Sequence, residues 1–155
     1  MLLSRILEKF TSLHGVLFDL PEVVSGAPGA GHFNNSEGRV DFEAGSFFDR
    51  VPEGCDAYIM KHIIHDWDDE LSNKILKNIA QAMHAHAKLL IVEMVVPEGN
   101  EPHFSKLMDL GMLVLPGGVE RTREEFHTLL AGAGLRLDRI IPTQTSLSII
   151  EAVKA

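Results

Sequence analysis

Apolar residues recur at Leu2, Leu3, Ile6, Leu7 and Phe10, the spacing of one face of a helix. The chain therefore opens with an amphipathic helix. Residues 15–20 form a short apolar run containing the acid Asp19, which reads as a buried strand ending in an acid. Pro21 then suits the first turn of a short helix through Val24. Residues 26–38 are rich in Gly, Asn and Ser and read as a loop. Residues 39–44 alternate weakly, as a strand does, and 51–54 form a turn. Residues 56–60 are a strand that feeds a helix running from about 68 to 83. Leu71, Ile75, Leu76, Ile79 and Met83 line one face of that helix. Residues 88–96 are a strongly apolar strand with one acid, Glu93, inside it. A loop at 97–102 leads to an apolar helix over 104–115, which Pro116, Gly117 and Gly118 break. Thr122 and Glu125 have the spacing of a capping box, and the helix they open stops at the glycines 132–134. Strand-like runs at 135–141 and 147–153 close the chain.

Strands that alternate with helices build a mainly parallel sheet covered by helices, the α/β class. The two last strands are joined too tightly for a crossover helix, so that pair is antiparallel. At 155 residues the chain is long enough for one domain with a real core. No internal repeat or low-complexity tract interrupts it. Acids outnumber bases 22 to 14, a formal charge of -8, which argues against nucleic acid or an anionic membrane as partner. A single cysteine, Cys55, permits no internal disulfide and no cysteine-based metal motif. Residues 1–10 carry Arg5, Glu8 and Lys9 and so lack the apolar region of a signal peptide. No run is long and apolar enough for a bilayer, and a reducing cytoplasm is the expected setting.

Chemistry concentrates at 61–70, where the strand over 56–60 gives way to a helix. In open α/β sheets ligands bind at the carboxyl ends of the strands. Two histidines, His62 and His65, sit there with Asp66 and the only tryptophan, Trp67. Asp66 or Asp68 can cap the helix, and Asp68, Asp69 and Glu70 suit its positive end. His65 is not explained that way, and a histidine takes a proton near neutral pH. Asp19 is balanced between a ribose-binding acid and a helix cap before Pro21. Glu93 needs a partner or a cleft, because an unpaired buried carboxylate costs several kcal/mol, unless it reaches solvent at the strand end. Glu120, by itself, reads as a loop acid. The glycines 26, 29 and 31 surround Pro28 and open no helix, so they are a turn and not a phosphate loop. His62 with His65, and His84 with His86, complete no zinc-type spacing, and no metal is expected. Met108 and Met112 lie at helical spacing, more in keeping with core than with a substrate pocket.

Together these segments resemble the catalytic domain of small-molecule O-methyltransferases of the caffeic-acid and hydroxyindole type and their bacterial relatives. Residues 15–21 are similar to the family's ribose-binding strand, and Gly45, Ser46, Phe47 and Phe48 to its adenine-side loop. Residues 61–67 are similar to its catalytic stretch, with His65-Asp66-Trp67 the most specific motif. Val92-Glu93 and residues 117–122 are similar to its two acid-bearing motifs. The resemblance implies a Rossmann-like sheet and S-adenosylmethionine as cofactor. It implies methyl transfer to a hydroxyl of a small aromatic molecule, with His65 as general base flanked and oriented by Glu93 and Glu120. Asp19, Leu20, Ser46, Phe47 and Lys61 would face the cofactor, and Asp66, Met108 and Met112 the substrate. A base is useful because a phenol of pKa near 10 is only about 0.1% ionised at pH 7.

Two departures from the family stand out. Position 46 is Ser where the family usually has Asp. Counting back about 20 residues from the ribose acid, where the glycine loop belongs in this fold class, lands before Met1. The expectation is one methyltransferase domain over 1–155, lacking its first strand and glycine loop. The family's N-terminal dimerisation domain is absent too. The family strand order 3-2-1-4-5-7-6 would then lose its centre. Such a chain acts as a homodimer or with a completing chain, or is a non-catalytic remnant. A nicotinamide-dependent dehydrogenase has the same fold class, but His65 and Glu120 favour the transferase.

Overall fold

The computed structural model describes residues 1–114 and 117–155. Leu115 and Pro116, the end of the predicted fourth helix and the start of its breaker, lie outside the described residues. The chain divides into two compact units, Met1–Pro52 and Glu53–Ala155.

The first unit contains helix α1 (Leu2–Lys9), strand β1 (Gly15–Asp19), the short helix α2 (Pro21–Val24) and strand β2 (Val40–Ala44). β1 and β2 pair in parallel, Gly15 opposite Val40 and Asp19 opposite Ala44. The amphipathic face of α1 closes on the start of β1. A Cβ built on Gly15 would sit 2.9 Å from a Leu3 methyl and 3.2 Å from a Leu7 methyl, so a larger residue there would push those side chains aside. The long connection to β2 is tied down by Arg39, whose guanidinium donates to the carbonyls of Leu7 and Leu13, both at 3.1 Å. Residues 26–38 form turns, as the glycines and Pro28 require, with single 3₁₀ turns at Pro28–Ala30 and Asn34–Ser36.

The second unit holds strand β3 (Ala57–Lys61), helix α3 (Asp69–Ala82), strand β4 (Lys88–Glu93), helices α4 (Phe104–Val114) and α5 (Arg123–Gly132), and strands β5 (Leu135–Pro142) and β6 (Ser148–Lys154). Its sheet runs β3-β4-β6-β5, with β3 and β4 parallel and β6 antiparallel to both neighbours. The expected order survives within each sheet: β2-β1 corresponds to 3-2 and β3-β4-β6-β5 to 4-5-7-6. β1 and β3 belong to different sheets.

Two boundaries differ from expectation. The strand predicted to reach Val96 ends at Glu93, because beyond it the chain leaves β3 and β6 and Val96 bridges Thr122 instead. On α3 the buried stripe is Ser72, Ile75, Leu76, Ile79 and Ala80, whereas Leu71 is 37% exposed. Ser72 takes the buried place because its Oγ donates to the carbonyls of Ile64 and Trp67, at 3.3 and 3.2 Å. A buried hydroxyl costs little once it is bonded. Opposite α3, α5 buries Phe126, Leu129 and Leu130 under the predicted capping box of Thr122 and Glu125.

Candidate active site

The parallel register of β3 and β4 sets up the site. Lys61 pairs with Val92, so Glu93 emerges beside the turn that follows β3. That turn begins with His62 in the left-handed region, φ +55°, and continues as a 3₁₀ turn over Ile64–Asp66. Asp68 then caps α3, accepting from the Leu71 amide at 2.9 Å. The bend aims three successive amides at one point. Glu93 Oε1 accepts from Ile63, Ile64 and His65 N–H at 3.1, 2.7 and 3.3 Å. Successive backbone N–H groups converging this way form a concavity that binds an anion. Here the chain fills it with its own carboxylate, which is 1% exposed.

The second acid arrives from the segment after α4. Val119 N–H donates to the His65 carbonyl at 2.9 Å, and Val96 N–H to the Arg121 carbonyl at 2.9 Å. Asp109 on α4 accepts from the Glu120 amide at 2.9 Å. Gly118 lies so close to His65 and Asp66 that a Cβ there would overlap the His65 carbonyl oxygen. Glu120 is thereby placed with Oε1 2.9 Å from His65 Nδ1, both residues buried. Asp66 Oδ1 lies 3.5 Å from the other ring nitrogen, Nε2.

The hydrogen bond to Glu120 raises the His65 pKa above its ordinary value. Burial opposes this, and the charges of Glu93, Glu120 and Asp66 add to it. Burial also raises the pKa of Glu93, against the pull of His65 and of its three amide donors. His62 moves the other way, lowered first by burial and then by His65 and Lys61.

Of the residues the sequence proposed, His65, Glu93, Glu120 and Asp66 come together. The two bland readings fail: Glu93 does not reach solvent, and Glu120, although on a loop, is only 3% exposed. Their roles divide. Glu120 touches the imidazole, whereas Glu93 bonds the backbone that carries it. An atom from each of His65, Glu93 and Glu120 lies within 4.8 Å of the others. Hydrogen bonds already engage them, with Glu93 Oε1 on three amides and His65 Nδ1 on Glu120. Met112 is buried, and its carbonyl accepts from Gly117 and Gly118 N–H at 3.0 and 3.1 Å. Met108 is half-buried on the same helix. Lys61 is exposed at the end of β3. In the first unit Asp19 is exposed at the carboxyl end of β1 and accepts from its neighbour Leu20 N–H at 2.8 Å. The N-cap of α2 is Leu20 and no side chain caps it, so Asp19 does not act as the cap. Leu20 is 46% exposed, and Ser46 Oγ accepts from Phe48 N–H at 3.2 Å. Phe47 packs edge-on against Phe48, 4.9 Å between ring centres.

Sequence reasoning missed Arg121. It is 2% exposed and donates to the carbonyls of Ile64 and Trp67 at 3.1 and 3.0 Å. It also donates twice to Asp69 Oδ1, at 3.1 and 2.8 Å. Asp69 is thus more than a helix-start charge. The available signal was weak: Arg121 is one of two arginines, with Arg123, among the acids Glu120, Glu124 and Glu125.

An α/β sheet with a buried histidine–glutamate pair at the carboxyl end of a parallel strand fits a Rossmann-like fold. A family model for the O-methyltransferase domain matches residues 1–136, and the chain belongs to that family. The phenazine O-methyltransferase PhzM of Lysobacter antibioticus is 48% identical over 151 residues, 97% of this chain and 44% of that protein. The crystal structure of LaPhzM superposes with a TM-score of 0.93 at 47% identity, over 99% of this chain and 46% of that one. NcsB1, an O-methyltransferase of neocarzinostatin biosynthesis solved with S-adenosylmethionine and 2-hydroxy-5-methyl naphthoic acid, gives 0.88 at 34% identity. That match covers 99% of this chain and 45% of NcsB1. The chain thus spans less than half the length of these relatives. Among the described residues no helix is long and apolar enough to cross a membrane.

Proposed function

We propose that the chain carries the acceptor-activating half of an S-adenosylmethionine-dependent O-methyltransferase, acting on a hydroxyl of a small aromatic molecule. The supporting observation is the buried contact between His65 Nδ1 and Glu120 Oε1, 2.9 Å. With Nδ1–H donated to Glu120, the neutral imidazole keeps its lone pair on Nε2 and can accept the hydroxyl proton there. The imidazolium that results is supported by Glu120 on one side and by Asp66, 3.5 Å from Nε2, on the other. Glu93 acts one step away, as a positioning residue that holds the His65 backbone. Met108 and Met112 are assigned to the acceptor side.

When bound, S-adenosylmethionine supplies an electrophilic sulfonium methyl, whose transfer needs in-line placement. The donor set is compatible with it. Asp19 offers an exposed carboxylate at a parallel strand end, chemistry that suits a ribose diol. Leu20, Ser46 and Phe47 offer apolar and hydroxyl contacts on the same unit, and Lys61 an exposed ammonium on the other. In this reading residues 1–155 are one methyltransferase domain that works with a completing chain or as a homodimer, in the cytoplasm. A second reading, a remnant that binds cofactor only with a partner chain, is compatible with the chain spanning 44% of the phenazine enzyme's length.

His65→Gln or His65→Ala should lower turnover by about 10²–10⁴-fold in any assembly of this chain that methylates a phenol, with cofactor affinity little changed. Single-turnover methyl transfer with unchanged rate in either variant removes His65 from the mechanism.

A further inference from the structure

We propose that His62 is a positioning residue whose imidazole forms the wall that fixes the plane of the His65 ring. Among the described residues His62 is the one non-glycine residue at positive φ. Few non-glycine residues adopt the left-handed region, although histidine does so more often than most. Such a residue beside a reactive group points to a use for its side chain. The rings of His62 and His65 are stacked, 5.2 Å apart and 30° from parallel.

That contact supplies a restraint the other groups do not. Glu93 holds the His65 amide, and Glu120 holds one point of its ring, Nδ1. Glu120 at Nδ1 and Asp66, 3.5 Å from Nε2, hold the edge of the ring; a stacked neighbour restrains its face. The groups facing His65 are Glu120, Glu93 at the end of β4, and Asp66 and His62 on its own turn; Lys61 and Arg121 are the nearby cations. Burial lowers the His62 pKa and the Glu120 hydrogen bond raises that of His65, so His62 takes up a proton less readily than His65. A neutral aromatic face tolerates a cation beside it.

The catalytic consequence rests on His65 being the base proposed above; the stacking does not. The test therefore reads the imidazoles by long-range ¹H–¹⁵N correlation on the full chain, without turnover. His62→Asn keeps a residue that suits the left-handed bend and removes the ring. The His65 titration midpoint should fall by about half to one pH unit, as the freed ring loses its hold on Glu120. His62→Phe, which keeps a ring without a titrating nitrogen, should move it less than half as far. An unmoved midpoint in His62→Asn, or an equal shift in both variants, overturns the proposal. Where His62→Asn does not fold, a cross-relaxation peak between the two rings in the unmodified chain supports it, and its absence overturns it. Unchanged methyl transfer in His65→Gln would remove the mechanism and leave this result standing.

Discussion

Replacing Glu93 by alanine separates a positioning role from a catalytic one. The carboxylate oxygen Oε1 accepts from the amides of Ile63, Ile64 and His65. Ile64 and His65 are buried, while Ile63 is half-buried and can turn to water. Each buried donor left without an acceptor costs about 1–3 kcal/mol, so two cost about 2–6 kcal/mol. Against this, the variant no longer buries a carboxylate whose raised pKa shows that its ionisation is disfavoured there. Glu93→Ala is therefore expected to lose about 2–4 kcal/mol. Glu93→Gln keeps an oxygen acceptor and should lose about 1 kcal/mol. Urea unfolding followed by tryptophan fluorescence reads this directly, because the only tryptophan, Trp67, lies two residues after His65. A Glu93→Ala variant within about 0.5 kcal/mol of the parent would refute the amide account. Equal losses in the two variants would show that the charge, not the acceptor, matters.

Two further predictions concern the same cluster. Glu120→Gln should lower the His65 midpoint, since the Glu120 hydrogen bond is the largest cause of its rise. The folded pKa of His65 lies above the unfolded one, so the pair's contribution is complete below about pH 6.5 and is lost as pH climbs through the folded value. The stability gap between parent and Glu120→Gln should accordingly narrow from pH 6 to pH 8.5; a constant gap would contradict the assignment. Arg121→Met should cost about 2–4 kcal/mol because a buried guanidinium leaves several carbonyls under-bonded, and Asp69→Asn under about 1 kcal/mol because Asp69 is largely exposed. Urea midpoints check both, and the reverse ranking would be fatal.

Much of this was legible in the chain because local and tertiary signals agreed. The period of α3, the capping box at Thr122 and the tight link between β5 and β6 each follow from a few neighbouring residues. Asp19, His65, Glu93 and Glu120 were legible as acids and a histidine at strand or motif ends. What joins His65 to Glu120 came from the resemblance and not from the residues themselves, for they are 55 residues apart. Arg121 was hidden for the same reason: its partners Ile64, Trp67 and Asp69 are distant in sequence and mostly backbone. Ser72 has no signal in the chain, because hydropathy alone cannot show that the carbonyls of Ile64 and Trp67 lie within reach of its hydroxyl. The division of labour between Glu93 and Glu120 depends on where the left-handed bend at His62 aims three amides, and nothing in the residue type of position 62 announces it.

The last prediction concerns what the chain does by itself. β1 pairs with β2 and β3 with β4, and among the described residues no strand lies on the other edge of β1 or β3. Unpaired strand edges recruit other chains. A second liability runs along α4, where Phe104, Leu107, Leu110 and Leu113 are 56%, 65%, 62% and 69% exposed. These residues recur every three positions and form one apolar stripe, the kind of patch soluble monomers avoid. The relatives are more than twice as long as the matched region, so they have chain to spend on such surfaces. The 155-residue chain alone should therefore self-associate and bind S-adenosylmethionine weakly, without turnover. Supplying a strand and a glycine-rich loop ahead of Met1, fused or as a separate polypeptide, should recover cofactor binding by calorimetry and reduce self-association by sedimentation. The glycine loop gives the cofactor's methionine end its backbone donors, and the added strand satisfies the open edges of β1 and β3. A soluble monomer of the unextended chain, with micromolar affinity for S-adenosylmethionine and measurable methyl transfer, would sink this account.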